Sequence, residues 1–176
     1  KTKFLEVMSK LCFRARILAG TSTTPAVRER ASLGGTICLD DDESLGQKGG
    51  ERMSLLLTSN RRGSETIMRE GQKGNTWANR TVDAFCPFVI SAINRPYETL
   101  AQRSIIIRIV RSGDAEKTAR DVLEPSHWPD GIHQQDIHDS MWKIAIRNLP
   151  RIRGYEDKAV KLARSSGRPL DPWRSI

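Results

Sequence analysis

The chain has 176 residues, 38% of them hydrophobic and 6% aromatic, with 29 Lys and Arg against 21 Asp and Glu and a formal net charge of +8. That length supports one domain with a real core, or one domain and part of a second. No stretch approaches the roughly 18 uninterrupted apolar residues of a membrane span, and Cys12, Cys38 and Cys86 are odd in number and too widely spaced for a disulfide frame or a zinc site. The basic balance, with a pI near 9.8, points to a polyanionic partner, nucleic acid first; the alternative is a generally basic surface. With no basic-then-apolar start, the expected setting is cytoplasmic. The chain opens at Lys1 without Met and stops at Ile176 in mid-pattern, and so reads as an internal piece of a longer protein.

Taken in order, Phe4, Leu5, Met8, Leu11 and Cys12 recur at helical spacing, which predicts an amphipathic helix over 1–12. Arg16, Ile17 and Leu18 form a short strand candidate, and Pro25 opens a short helix through Arg30. Gly34 and Gly35 lead into Thr36, Ile37, Cys38 and Leu39, a glycine-bounded apolar run of the kind buried in parallel sheets. Four acids, Asp40 to Glu43, follow it. Residues 51–60 predict a helix, and 64–69 with 80–85 a hairpin around a glycine-rich turn. The apolar runs PFVISAI (87–93) and SIIIRIV (104–110) predict two more buried strands. Beyond Gly113 the pattern becomes helical, with helices expected over 114–123, 134–148 and 155–163. Alternating strands and helices predict an α/β fold with a parallel sheet over 1–112 and a small, incomplete helical module over 113–176.

The chemistry centres on the acid-ended strand. Carboxylates at the C-terminal end of a parallel strand sit at the crevice where open α/β sheets bind ligands. There an acid can hold a hydrated Mg²⁺ that bridges nucleotide phosphates. The plainer alternative is a solvated acidic loop. Lys1 and Thr2 at a helix tip, followed downstream by Asp40, form the second half of a phosphate-binding scheme. In the complete motif, G-x-x-x-x-G-K-[ST], the lysine reaches the terminal phosphates and the hydroxyl ligates Mg²⁺. The motif's glycines and the strand before them would lie upstream of Lys1. Asn94, closing an apolar strand, could orient an attacking water, and Arg103 could act as a finger on a neighbouring subunit's nucleotide. Arg61, Arg62, Arg69 and Lys73, with Arg80, bracket the hairpin and could track nucleic-acid phosphates. Only Trp77 is available there for base stacking. His127, His133 and His138 are spaced so that no two share a helical face, and no G-x-S-x-G elbow supports a nucleophilic serine.

On the stretches KTKFLEVMSKLC, GGTICLDDDESL, LLLTSNRRGSETIMR, FCPFVISAI, ETLAQRSIIIRIVR and RPLDPWRSI, the chain resembles an additional-strand P-loop ATPase of the AAA-like or helicase-like group. More narrowly, it is similar to a prokaryotic ATPase domain of phage, plasmid and mobile-element replication proteins, often found beside primase-type modules. The resemblance implies a P-loop NTPase-type parallel sheet flanked by helices. It implies that Lys1 and Thr2 end the Walker A motif and that Asp40 is the Walker B metal acid. Asn94 becomes the sensor and Arg103 the finger candidate. The catalytic base falls on Asp41, where the family carries Glu, which implies slow hydrolysis. The expected ligands are ATP and Mg²⁺, and the expected partners are DNA and further copies of the same chain. The alternative is a degenerate ATPase serving as a basic nucleic-acid-binding or assembly module.

Overall fold

The structure is a computed structural model and describes residues 2–46, 49–60, 63, 65–72, 76–121, 124–129 and 131–163. The chain divides into two units, Lys1–Pro96 and Tyr97–Ile176. The division falls earlier than the boundary after residue 112 read from the sequence.

The first unit is built on a three-stranded parallel sheet. Its strands are β1 (Arg16–Ala19), β2 (Ile37–Asp40) and β5 (Phe88–Ile90), in the order β1-β2-β5. The register sets Ala19 opposite Asp40 and Leu39 opposite Ile90. β2 is therefore the central strand, which explains its apolar run: both edges are hydrogen-bonded, and Ile37, Cys38 and Leu39 are all buried. Helix α1 (Thr2–Leu11) precedes β1 and packs on all three strands, with Leu5 fully buried. Helix α2 (Thr24–Ser32) carries Pro25 in its first turn, where the missing N–H costs nothing. It buries Val27 and Ala31. Helix α3 (Glu51–Thr58) adds Met53, Leu55 and Leu56 to the core. The nearly buried Arg28 joins α2 to α3 through Glu51 at 2.7 Å.

The hairpin consists of β3 (Glu65–Gln72) and β4 (Thr76–Asp83), paired antiparallel from Glu65–Asp83 to Gln72–Thr76. Its strands are longer than the sequence pattern indicated. The expected strand 87–93 shortens to Phe88–Ile90.

The second unit is helical among its described residues. It holds α4 (Glu98–Ala101), α5 (Ala115–Ala119), α6 (Gln134–Asn148) and α7 (Ile152–Leu162). Asp114 caps α5, accepting from the backbone N–H groups of Glu116 at 3.0 Å and Lys117 at 3.2 Å. That helix is half the length expected from 114–123. Pro150, in the single turn Leu149–Arg151, separates α6 from α7. The buried strand expected at 104–110 is corrected: Ile105 to Val110 have no strand partner among the described residues and are all exposed, Val110 by 85%. β-branched residues favour a pleated conformation, but a strand exists only where a neighbour accepts and donates its backbone hydrogen bonds. No described helix is long and apolar enough to cross a membrane.

Candidate nucleotide and metal site

Strand β2 delivers Asp40 to the carboxyl edge of the sheet. Helix α1 ends just before β1 begins, so it returns across the sheet and its N-terminal Thr2 lies at that same edge. The Thr2 hydroxyl donates to Asp40 Oδ2 at 3.2 Å, across 38 positions of sequence. Two of the residues expected to share a metal thus meet. Lys1 lies outside the described residues.

The first three acids of the run, Asp40, Asp41 and Asp42, have three different environments. Asp40 is half-buried, and its second oxygen, Oδ1, accepts from Ser91 Oγ at 2.7 Å. Asp41 is exposed and adopts a left-handed backbone, φ +52°. Asp and Asn tolerate this region better than most residues. Its N–H donates to Ser91 Oγ at 3.1 Å. Asp42 turns inward and is 1% exposed. It accepts from Arg52 Nη1 at 2.9 Å, and the same guanidinium donates to the Ser22 carbonyl after β1. A buried carboxylate without such a partner would be costly. The acidic run is therefore not a uniformly solvated loop.

The backbone fixes this turn from both sides. Gly20 follows β1 and donates its N–H to the Asp40 carbonyl at 2.6 Å. A Cβ at Gly20 would stand 2.4 Å from the Asp41 carbonyl oxygen, so only glycine fits. On the other side, Ser91 N donates to Leu39 O at 2.9 Å, and Asp42 N to Ser91 O at 3.3 Å.

Among the described residues no group of three or more His, Cys, Asp or Glu side chains could hold a metal ion. The Thr2–Asp40 pair supplies two oxygen ligands. That donor set suits Mg²⁺, which keeps several waters and takes its other ligands from bound phosphates. It would not suit a metal that needs a complete protein cage.

The remaining expected site residues fall on other segments or outside the described residues. Asn94 does not close its strand. β5 ends at Ile90, and Asn94 is exposed in a bend further along. The polar group at the strand end is Ser91, which is 8% exposed. Arg103 belongs to the second unit, at the end of α4, where its N–H donates to Leu100 O at 3.0 Å. Arg61, Arg62 and Lys73 lie outside the described residues, as does 168–176 of the RPLDPWRSI stretch. Arg69 is opposite Asn79 in the hairpin register. Trp77 on β4 is 70% exposed. Ser91, Asp42 and Arg52 carry the geometry but were not singled out from the sequence. The only sequence signal for Ser91 is its place, as a small hydroxyl residue at the end of an apolar run.

The three cysteines belong to the first unit and are unpaired. Burial pushes the Cys38 thiol up to about 11, helped by the neighbouring Cys12 and Cys86. Burial also pushes Cys86 to about 11, against opposing effects of the Ile37 backbone and the Arg30 charge. Both remain neutral thiols at ordinary pH and are poor metal ligands or nucleophiles.

Comparison with known proteins finds no matching family model, no matching curated protein and no matching solved structure.

Proposed function

We propose that the first unit is the nucleotide-binding part of a P-loop ATPase that acts on DNA, of the helicase-like group in phage, plasmid and mobile-element replication. The observation that carries this reading is the meeting of Thr2, at the tip of a helix, with Asp40, at the end of the central parallel strand. A helix N-terminus, a hydroxyl and a carboxylate at the carboxyl edge of a sheet are the parts that hold a magnesium-bound triphosphate. In this reading Lys1 contacts the terminal phosphates, and Thr2 and Asp40 hold Mg²⁺. When bound, the cation neutralises charge that develops on the phosphate oxygens. Asp41, exposed at the turn, takes the proton of the attacking water. Arg103 acts on the nucleotide of a neighbouring copy. Because Asp41 is one methylene shorter than glutamate, hydrolysis is slow.

The test is magnesium-dependent uptake and hydrolysis of ATP by the protein that carries this chain, with and without DNA. DNA is expected to stimulate hydrolysis. Asp40→Asn is expected to remove the Mg²⁺ dependence of ATP uptake, and Lys1→Ala to stop hydrolysis. Unchanged behaviour in both variants overturns the reading.

A second reading, a degenerate ATPase acting as a nucleic-acid-binding module, is favoured by the exposed Trp77 on a hairpin that also carries Arg69 and Arg80. Under it, Asp41→Glu raises hydrolysis from near zero, and DNA binding weakens steeply with salt.

A further inference from the structure

We infer that Ser91 is a positioning residue that holds both catalytic-edge acids in their working geometry. This inference rests on the nucleotide reading above. One hydroxyl serves two neighbours: it donates to Asp40 Oδ1 at 2.7 Å and accepts the Asp41 N–H at 3.1 Å. A hydroxyl has one proton and two lone pairs, so both bonds can form together. The first bond occupies Oδ1 and leaves Oδ2, the oxygen facing Thr2, for the cation. The second holds the N–H of a residue at φ +52°, a conformation an unsupported chain leaves readily. Ser91 is itself fixed by the sheet. Its N–H bonds to Leu39 O, its carbonyl accepts from Asp42, and it is 8% exposed. It therefore transmits the rigidity of β5 to the acids. Partners that orient a metal-binding carboxylate typically matter by about 10- to 100-fold in metal affinity.

The experiment compares Ser91→Ala, Ser91→Thr and Ser91→Cys in the full chain by two readouts. The first is the Mg²⁺ concentration that half-saturates binding of a fluorescent ATP analogue, with Asp40→Asn as the reference. Ser91→Ala is expected to raise it about 10- to 100-fold. Threonine, which keeps the hydroxyl, is expected to restore it to within a few-fold, and cysteine, a weaker donor, to fall between. The second readout is amide exchange at Asp41, which needs no nucleotide. It is expected to accelerate in the alanine variant and to recover in the threonine variant. If Asp40→Asn weakens the magnesium response and neither Ser91→Ala nor Ser91→Cys does, the role of Ser91 is overturned and the nucleotide reading stands. If Asp40→Asn has no effect either, the nucleotide reading falls, and the metal-orienting role with it. Should Ser91→Ala fail to fold, cysteine against threonine decides, and equal magnesium dependence in the two overturns the inference.

Discussion

Two apolar runs of similar composition end in opposite environments. ICLD at 37–40 is the central strand of a parallel sheet, with Cys38 and Leu39 fully buried. SIIIRIV at 104–110 is richer in β-branched residues, yet its isoleucines stand exposed and unpaired among the described residues. The difference is not intrinsic preference, which favours the second run. It is that β2 has β1 on one edge and β5 on the other, with α1 packed on the sheet. Strand propensity measures fit to an existing pleated surface and does not create one.

The contrast can be broken most severely at the link that holds the turn after β2. Arg52→Ala removes the guanidinium that pairs with the buried Asp42 carboxylate. It is expected to cost about 3–5 kcal/mol, read from urea unfolding of the full chain. Leu39→Ala opens a cavity in the central strand and is expected to cost about 2–5 kcal/mol by the same measurement.

A smaller effect tracks pH. The thiols of Cys38 and Cys86 titrate higher in the folded chain than their ordinary 9.0. The folded state therefore holds protons that the unfolded state has released. The stability this gives is fully present below pH 9.0 and is lost as pH rises through about 11. Unfolding midpoints measured across that window are expected to fall, and less so in Cys38→Ala. The smallest effect is expected at the other run. Ile107, 64% exposed, should tolerate alanine within about 0.5 kcal/mol. A cost comparable to that of Leu39→Ala would show that this run is buried as a strand in solution.

Much of the first unit was legible in the sequence because its signals are local. Helical spacing of apolar residues marks α1, Pro25 marks the start of α2, and paired glycines bound β2. The hairpin and α6 were visible for the same reason. The Thr2–Asp40 meeting is consistent with the order of a helix tip and an acid-ended strand, since a helix that runs back before β1 sets its N-terminus at the edge where the parallel β2 ends. What escaped depends on partners distant in sequence. Whether Asp42 faces water or core is decided by Arg52, ten positions away. Ser91 matters because parallel registration sets the end of β5 level with Asp40, and a serine alone carries no such message. Asn94 was misplaced because the apolar pattern continues past the point where pairing stops.

The contact between residue 20 and the Asp41 carbonyl has a consequence for how this sequence tolerates change. A saturation library at position 20 should return glycine almost alone, because every larger side chain displaces the acidic turn. Leu33, at the end of α2 and 52% exposed, should accept most replacements. Variation would then be forbidden at a residue with no side chain and permitted at a large aliphatic one.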